Sequence, residues 1–302
     1  MRKIQRLQPD GLWLVTGAAI IWGTIGVATR AIYESDTTTS LFINLARMLI
    51  AAPILMAASW HILGRKMFDI GRRDLWIMLL TGLLLAVSHA AYFASIRYSG
   101  VTIATLLTIC IAPLVVTFGS VMLKFESLTG RTVIALVCAL TGSVMLVGFN
   151  PNDAAQSELV TGSIFALIAA VSYAGVILCG RFLAAGYHPL QVTAITFGAG
   201  TIVLLVINLV SGITAVHTPQ GWLMIVYLGL VPTALAYWLL QSGLRSVSAT
   251  TASIVSMLDP LVAAVLAWVL FGETLAAAGI GGAVLLLLSI FLLSVSPKPN
   301  KS

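Results

Sequence analysis

Ten apolar stretches of about 20 residues follow one another, separated only by short polar, glycine or proline breaks, and this repetition sets the fold class. A helix of that length crosses a hydrocarbon core of about 30 Å. The stretches run over approximately residues 12–32, 40–62, 74–97, 101–123, 130–149, 159–182, 189–211, 221–244, 248–270 and 275–295. The chain is 59% hydrophobic and 9% charged, where a soluble domain carries about 25% charged residues, so no soluble core could hide its apolar surface. The first stretch is read as a span, since no small-residue cleavage site with a polar mature domain follows it.

Thirteen of the sixteen lysines and arginines, among them Arg65, Lys66, Arg72, Arg73, Lys124, Arg131, Arg181 and Arg245, fall in alternate connections if both termini lie in the cytoplasm. The opposite connections keep acids such as Glu34, Asp36, Asp153 and Glu158. This charge asymmetry predicts a multi-pass protein of a bacterial cytoplasmic membrane with both termini inside. The net charge of +6 is thus topological, and a nucleic-acid partner is excluded for want of a basic face with aromatic platforms. Cys110, Cys138 and Cys179 lie within apolar runs and are odd in number, which argues against a disulfide framework.

The chain also resembles itself. Shifting residues 111–127 by 147 positions puts Pro113 on Pro260 and Glu126 on Glu273; a shift of 151 puts Gly11 on Gly162, Trp22 on Tyr173 and Arg30 on Arg181. The segment "AYFASIRYS" of the third span is similar to "AYWLLQSGLRS" of the eighth. Five spans are an odd number, so the second set enters the membrane from the opposite face. The expected fold is therefore all-α: a polytopic membrane protein of ten transmembrane helices, built as two inverted five-helix repeats around a central cavity. Residues 1–150 and 151–302 form the two halves of one membrane domain, joined by the polar link 150–158.

Asp259 and Pro260 are expensive where they stand. A carboxylate at mid-bilayer costs about 2.5 to 3.5 kcal/mol on insertion scales, and proline frees a carbonyl that lipid cannot satisfy. Pro113 and Pro260 are expected to be paired hinges facing protein or a wet cavity, with a carboxylate added in one half only.

Trp22-Gly23, Pro113 with Glu126, and the run Asp259-Pro260-Leu261 through Phe271-Gly272-Glu273 resemble the drug/metabolite transporter superfamily, specifically its ten-helix EamA-like exporters. The resemblance covers essentially the whole chain and is nearest, by overall similarity, to bacterial aromatic amino-acid exporters. It implies a basket of helices around a substrate cavity. Phe125-Glu126 departs from the family's usual Gly-Glu at the end of the fourth span, which bears on whether the two halves gate equivalently.

Polar and aromatic residues inside spans are the candidate site. Ser88, His89, Tyr92, Ser95 and Ser99 make one stripe along the third span, to be read as a cavity wall or as interhelical hydrogen bonding. Thr233, Tyr237 and Gln241, with Trp238 beside them, repeat the theme in the eighth. Trp22 and Tyr173 sit mid-span, away from the interfacial belts where aromatics usually collect. Arg47, one turn from Asn44, is the one basic residue well inside a span; it either pairs structurally, with Asp259 as candidate partner, or clamps a substrate carboxylate. Asp259 would then take the ammonium or carry a proton. Thr16, Ala19, Gly23, Gly26 and Arg30 form a small-residue packing seam. Glu126 and Glu273 are expected to cap the helices that follow them, and His61, His188 and His217 to be solvated.

No G-x-x-x-x-G-K-[ST] stretch is present, which excludes P-loop ATP hydrolysis, and no nucleophile–base pair, H-E-x-x-H or D-x-x-D supports a membrane enzyme. Channel-type charge rings or carbonyl filters are absent from the sequence too. One buried arginine is too few for a carrier of nucleotide sugars or sugar phosphates, and the first span lacks the glutamate of the four-helix multidrug relatives. The expected function is a monomeric secondary carrier exporting amino acids, aromatic ones favoured, or similar amphipathic metabolites by alternating access, without a cofactor or metal. So few buried titratable groups favour facilitated export over tight proton coupling.

Overall fold

The computed structural model of the chain describes residues 9–148, 156–212, 215–272 and 276–294. The link 150–155 and Glu273, whose repeat pairing and capping role the sequence suggested, lie outside the described residues. The chain there is helical throughout but for one two-residue antiparallel ladder, β1 (Thr37–Thr38) with β2 (Ala215–Val216).

Among the described residues nine helical stretches are long and apolar enough to cross a bilayer. One of them, α4 (Arg72–Met122), has 51 residues and would be about 75 Å long if straight, over twice the hydrocarbon thickness. It is broken at Gly100, where φ 79° and ψ 166° suit glycine and clash with any Cβ. Its two arms, on either side of Gly100, are each of bilayer length and overlie the third and fourth apolar runs of the sequence. The others are α1 (Pro9–Trp22) with α2 (Ile25–Ser35), α3 (Ser40–Leu63), α5 (Gly130–Val147), α6 (Gln156–Leu183), α7 (Pro189–Ser211), α8 (Pro219–Leu228) with α9 (Ala236–Gly243), α10 (Ala249–Ser256) with α11 (Asp259–Phe271), and α12 (Ala277–Ser294).

Small residues set the crossings, as expected where lipid leaves no hydrophobic drive between helices. A Cβ on Gly11 would stand 2.6 Å from Ser246 Cβ, and one on Gly162 would stand 2.4 Å from Ser99 Cβ. A Cβ on Gly82 would meet the Thr196 carbonyl at 2.5 Å, and one on Gly229 the Arg47 carbonyl at 3.1 Å. Gly142 and Gly282 pack on each other's carbonyl. The pair Gly11–Ser246 and the pair Ser99–Gly162 correspond at the offsets found in the sequence, 151 for the glycines and 147 for the serines. The helix pairs follow the same rule: α4 lies on α6 as α1 lies on α9 and α10, while α3 pairs with α7 and α5 with α12.

The connections also meet in pairs, at opposite ends of α3. At one end Asp36 meets the loop before α8, accepting from the Thr218 amide at 2.9 Å and pairing with His217 Nδ1 at 2.8 Å. At the other, Tyr187 donates to Asp74 at 2.6 Å and Gln191 donates to the Met67 carbonyl at 2.9 Å. His217, expected to be solvated, therefore has its side chain enclosed, stacked on Phe42 and packed by Trp222. Glu126 is likewise a cap, but of a distant helix: it accepts from the Ala249 amide at 2.6 Å at the start of α10, while Thr129 caps α5.

Candidate functional site

Three spans lose their regular helix at mid-length, and the three interruptions touch. The first breaks at Gly23–Thr24, between α1 and α2. The eighth widens into a π-helical turn over Gly229–Leu235, which contains Pro232. The ninth breaks at Met257–Leu258, so that α11 starts on Asp259 with Pro260 in its first turn. Trp22 Nε1 donates to the Pro232 carbonyl at 2.9 Å, and Gly23 lies so close to α11 that an added Cβ would be 3.0 Å from the Asp259 carbonyl and 2.4 Å from Val262 Cβ. Irregular backbone at this depth is tolerated only when buried in protein or lining a wet cavity, because lipid cannot satisfy its polar groups. Pro260 thus sits at a helix break, whereas α4 continues through the buried Pro113.

Aromatic rings gather at this junction. Tyr237 lies edge-on to Trp22, centroids 5.1 Å apart, and edge-on to Phe197 at 4.9 Å. Trp238 packs partly buried on the same core. Tyr173 of α6 stands beside Ser256 at the end of α10, and Asp259 stands within electrostatic reach of Tyr92, Tyr173 and Tyr237. His89, Tyr92, Tyr173 and Asp259 are enclosed by protein yet keep part of their surface accessible, the condition of groups that line an internal space.

The arginine faces the same junction. Arg47 is 8% exposed and sends Nη2 to His89 Nε2 at 3.1 Å. It also lies within electrostatic reach of Tyr237. Among the described residues it makes no ion pair with Asp259, the partner the sequence suggested. Asn44, one turn back, is buried and spends its amide on the Ser40 carbonyl.

The polar stripe of the third span divides in two. Ser88 donates to the Ala169 carbonyl at 3.0 Å and Ser95 to the Gly162 carbonyl at 2.8 Å, while Ser99 bonds back to Ser95; these three hold α4 against α6. His89 and Tyr92 turn the other way, toward Arg47 and toward Thr105, 2.8 Å from the phenol. In the eighth span Thr233 donates to the Leu228 carbonyl, freed by the π turn, and Gln241 to the Gly180 carbonyl. Only Tyr237 and Trp238 of that face remain free of such packing bonds. A surface hollow of about 610 Å³ along Leu159–Ser172 of α6 is apolar and open to the outside. Among the described residues no cluster of His, Cys, Asp or Glu could hold a metal ion.

Comparison with known proteins decides the family. The EamA-like transporter family matches the chain twice, over residues 10–148 and 160–295. The chain belongs to the EamA-like transporter family. It is a multi-pass membrane protein and a transporter. Relatives include the "Uncharacterized transporter YwfM" of Bacillus subtilis strain 168, 28% identical over 94% of both chains. The "Uncharacterized inner membrane transporter YicL" of Salmonella typhimurium strain LT2 is 27% identical over 95% of this chain and 96% of its own. A solved crystal structure, 20% identical and covering 93% of this chain and 96% of that one, superposes with a TM-score of 0.77 and so shares the fold.

Proposed function

We propose that this EamA-like transporter is a secondary carrier that exports amino acids, aromatic ones favoured, or similar small amphipathic metabolites across a bacterial cytoplasmic membrane by alternating access. One observation carries the reading: three interrupted helices meet at mid-span, where Trp22, Tyr237 and Phe197 pack edge to edge, Arg47 bonds His89 and α11 opens on Asp259. Broken helices at mid-membrane between repeats are where secondary transporters bind substrate. A flat apolar side chain suits such a cluster of rings, and a cation and an anion at the same junction suit a zwitterion.

The two-fold recurrence supports the cycle. The family matches each half separately, the crossing of Gly11 on Ser246 corresponds to that of Gly162 on Ser99, and loop pairs close opposite ends of α3. Two related halves of opposite orientation would open one loop pair while the other closes. Charge asymmetry supports placing both termini in the cytoplasm. The pair Asp36 with His217 then lies outside and Asp74 with Tyr187 inside.

The test is counterflow of radiolabelled amino acids in liposomes holding the purified protein. Saturable exchange that favours aromatic amino acids is expected, and Trp22→Ala, His89→Ala and Tyr92→Ala should each lower it about tenfold or more while membrane abundance holds. Unchanged flux in all three variants would dismiss this site; flux that never saturates would make the protein a channel.

A further inference from the structure

The contact between Arg47 and His89 fixes where the imidazole carries its proton. Guanidinium has donors only, so His89 Nε2 must accept, and the ring hydrogen of the neutral imidazole stands on Nδ1. Arg47 Nε and His89 Nδ1 are both buried with no hydrogen-bond partner. Two N–H groups and one positive charge are thus buried with no neighbouring side chain to answer them. Buried donors are paired in native proteins, and a buried charge is paired as well, so the geometry asks for an acceptor with one negative charge. Among the described residues no carboxylate pairs with Arg47: Asp259 makes no ion pair with it, Asp36 is committed to His217 and Thr218, Asp74 to Tyr187, Glu34 to Arg30 and Glu126 to the start of α10.

We propose that Arg47 forms the carboxylate end of the substrate site, its Nε–H donating to a carboxylate oxygen while His89 holds the guanidinium through Nε2. The inference rests on the proposed carrier function and deepens it, because it names the chemical group that sets specificity. A single guanidinium balances one charge, which selects a monocarboxylate over a phosphate dianion. Asp259, within electrostatic reach of Tyr237 as Arg47 is, remains for the substrate's ammonium. His89 positions Arg47 through Nε2, so His89→Asn, which removes the acceptor at that position, should weaken the preference for acid over amide without abolishing binding.

The experiment is equilibrium binding and ligand-induced thermal stabilisation of the purified full chain with two matched sets. One holds phenylalanine, its amide, phenethylamine and 3-phenylpropanoate; the other holds leucine and the corresponding derivatives. In the unsubstituted protein the amide and amine should bind about tenfold to a hundredfold more weakly than the acid, and the acid lacking an amine should still compete. Arg47→Gln should erase the difference between acid and amide, and Arg47→Lys should restore part of it. Amides that bind as tightly as acids would overturn the inference while leaving the carrier reading intact, and would do so even if Arg47→Gln failed to fold. Acid preference surviving in a folded Arg47→Gln protein would overturn the role of Arg47. Absence of binding by both sets would overturn this inference together with the amino-acid reading.

Discussion

Asp36 shows how one loop residue ties two distant parts of the chain. Its carboxyl is drawn down from 3.8 to about 2, first by the hydrogen bond from the Thr218 amide and further by His217. The carboxylate also sits above the first turn of α8, where free amides favour an anion. Because the folded protein favours the ionised form, the contribution of Asp36 is complete above about pH 4 and fades as pH falls toward 2. Asp36→Asn should therefore lower the melting temperature in detergent at neutral pH, and the gap to the unsubstituted protein should close as the pH is lowered through that window. A constant gap down to pH 2 would show that the carboxylate's charge is not what holds the loops. The Tyr187 phenol at the opposite end of α3 is pushed up from 10.0, chiefly because its proton is engaged by Asp74. Its contribution is present below pH 10 and is lost only above it. Nothing near His217 in the sequence marked it as enclosed. It is a histidine in a short polar loop, and its partner is 181 residues away.

At the scale of helices, legibility followed the strength of the local signal. Bilayer thickness demands long apolar runs, so the spans, including the turn at Gly100, could be read from composition alone. Interruptions inside spans were marked only by proline, Pro260 in the ninth and Pro232 in the eighth, and only the former was read as a hinge. The break at Gly23–Thr24 and the π turn at Gly229–Leu235 keep the apolar pattern of a straight helix, and their freed groups are satisfied by other helices, as Pro232 is by Trp22. Pro113 was legible as a proline but not as a break, since α4 absorbs it. Glycines divide the same way, into those that set a crossing and those that do not. Gly162→Ala would place Cβ 2.7 Å from the Ser99 backbone nitrogen, which cannot move alone, and overpacking of this kind costs about 1 to 3 kcal/mol. Gly26 has nothing within 4 Å of an added Cβ, and alanine there should be neutral or stabilising by up to about 1 kcal/mol through helix propensity. Reversible unfolding in detergent checks both; equal effects of the two substitutions would remove the crossing argument. The site was read less completely than the spans: Trp22, Arg47, His89, Tyr92, Tyr237 and Asp259 were picked out as polar or aromatic groups in an apolar setting. Which of the stripe's serines served packing depended on the rotation of α4 against α6, a tertiary fact.

For the molecule as a whole, the paired loops make alternating access testable without knowing the substrate. Asp36 with His217 and Asp74 with Tyr187 hold the same two helices, α3 and α7, at opposite ends through the segments beside them. A rigid half that swings to open one end must shorten the distance at the other, so the two contacts should not both be lost in any one state. In a background with Cys110, Cys138 and Cys179 replaced, the cysteine pairs Asp36→Cys with His217→Cys and Asp74→Cys with Tyr187→Cys would place thiols where side chains already touch. Oxidising either pair should stop counterflow about completely, and reduction should restore it, because each lock forbids one of the two states that a cycle needs. A cysteine at Trp238 should then react with an impermeant thiol reagent from one side of the liposome only, and from opposite sides in the two locked proteins. Labelling from the same side in both would mean that the halves do not rock against each other. Transport continuing through either oxidised protein would mean that these loop pairs are not gates at all.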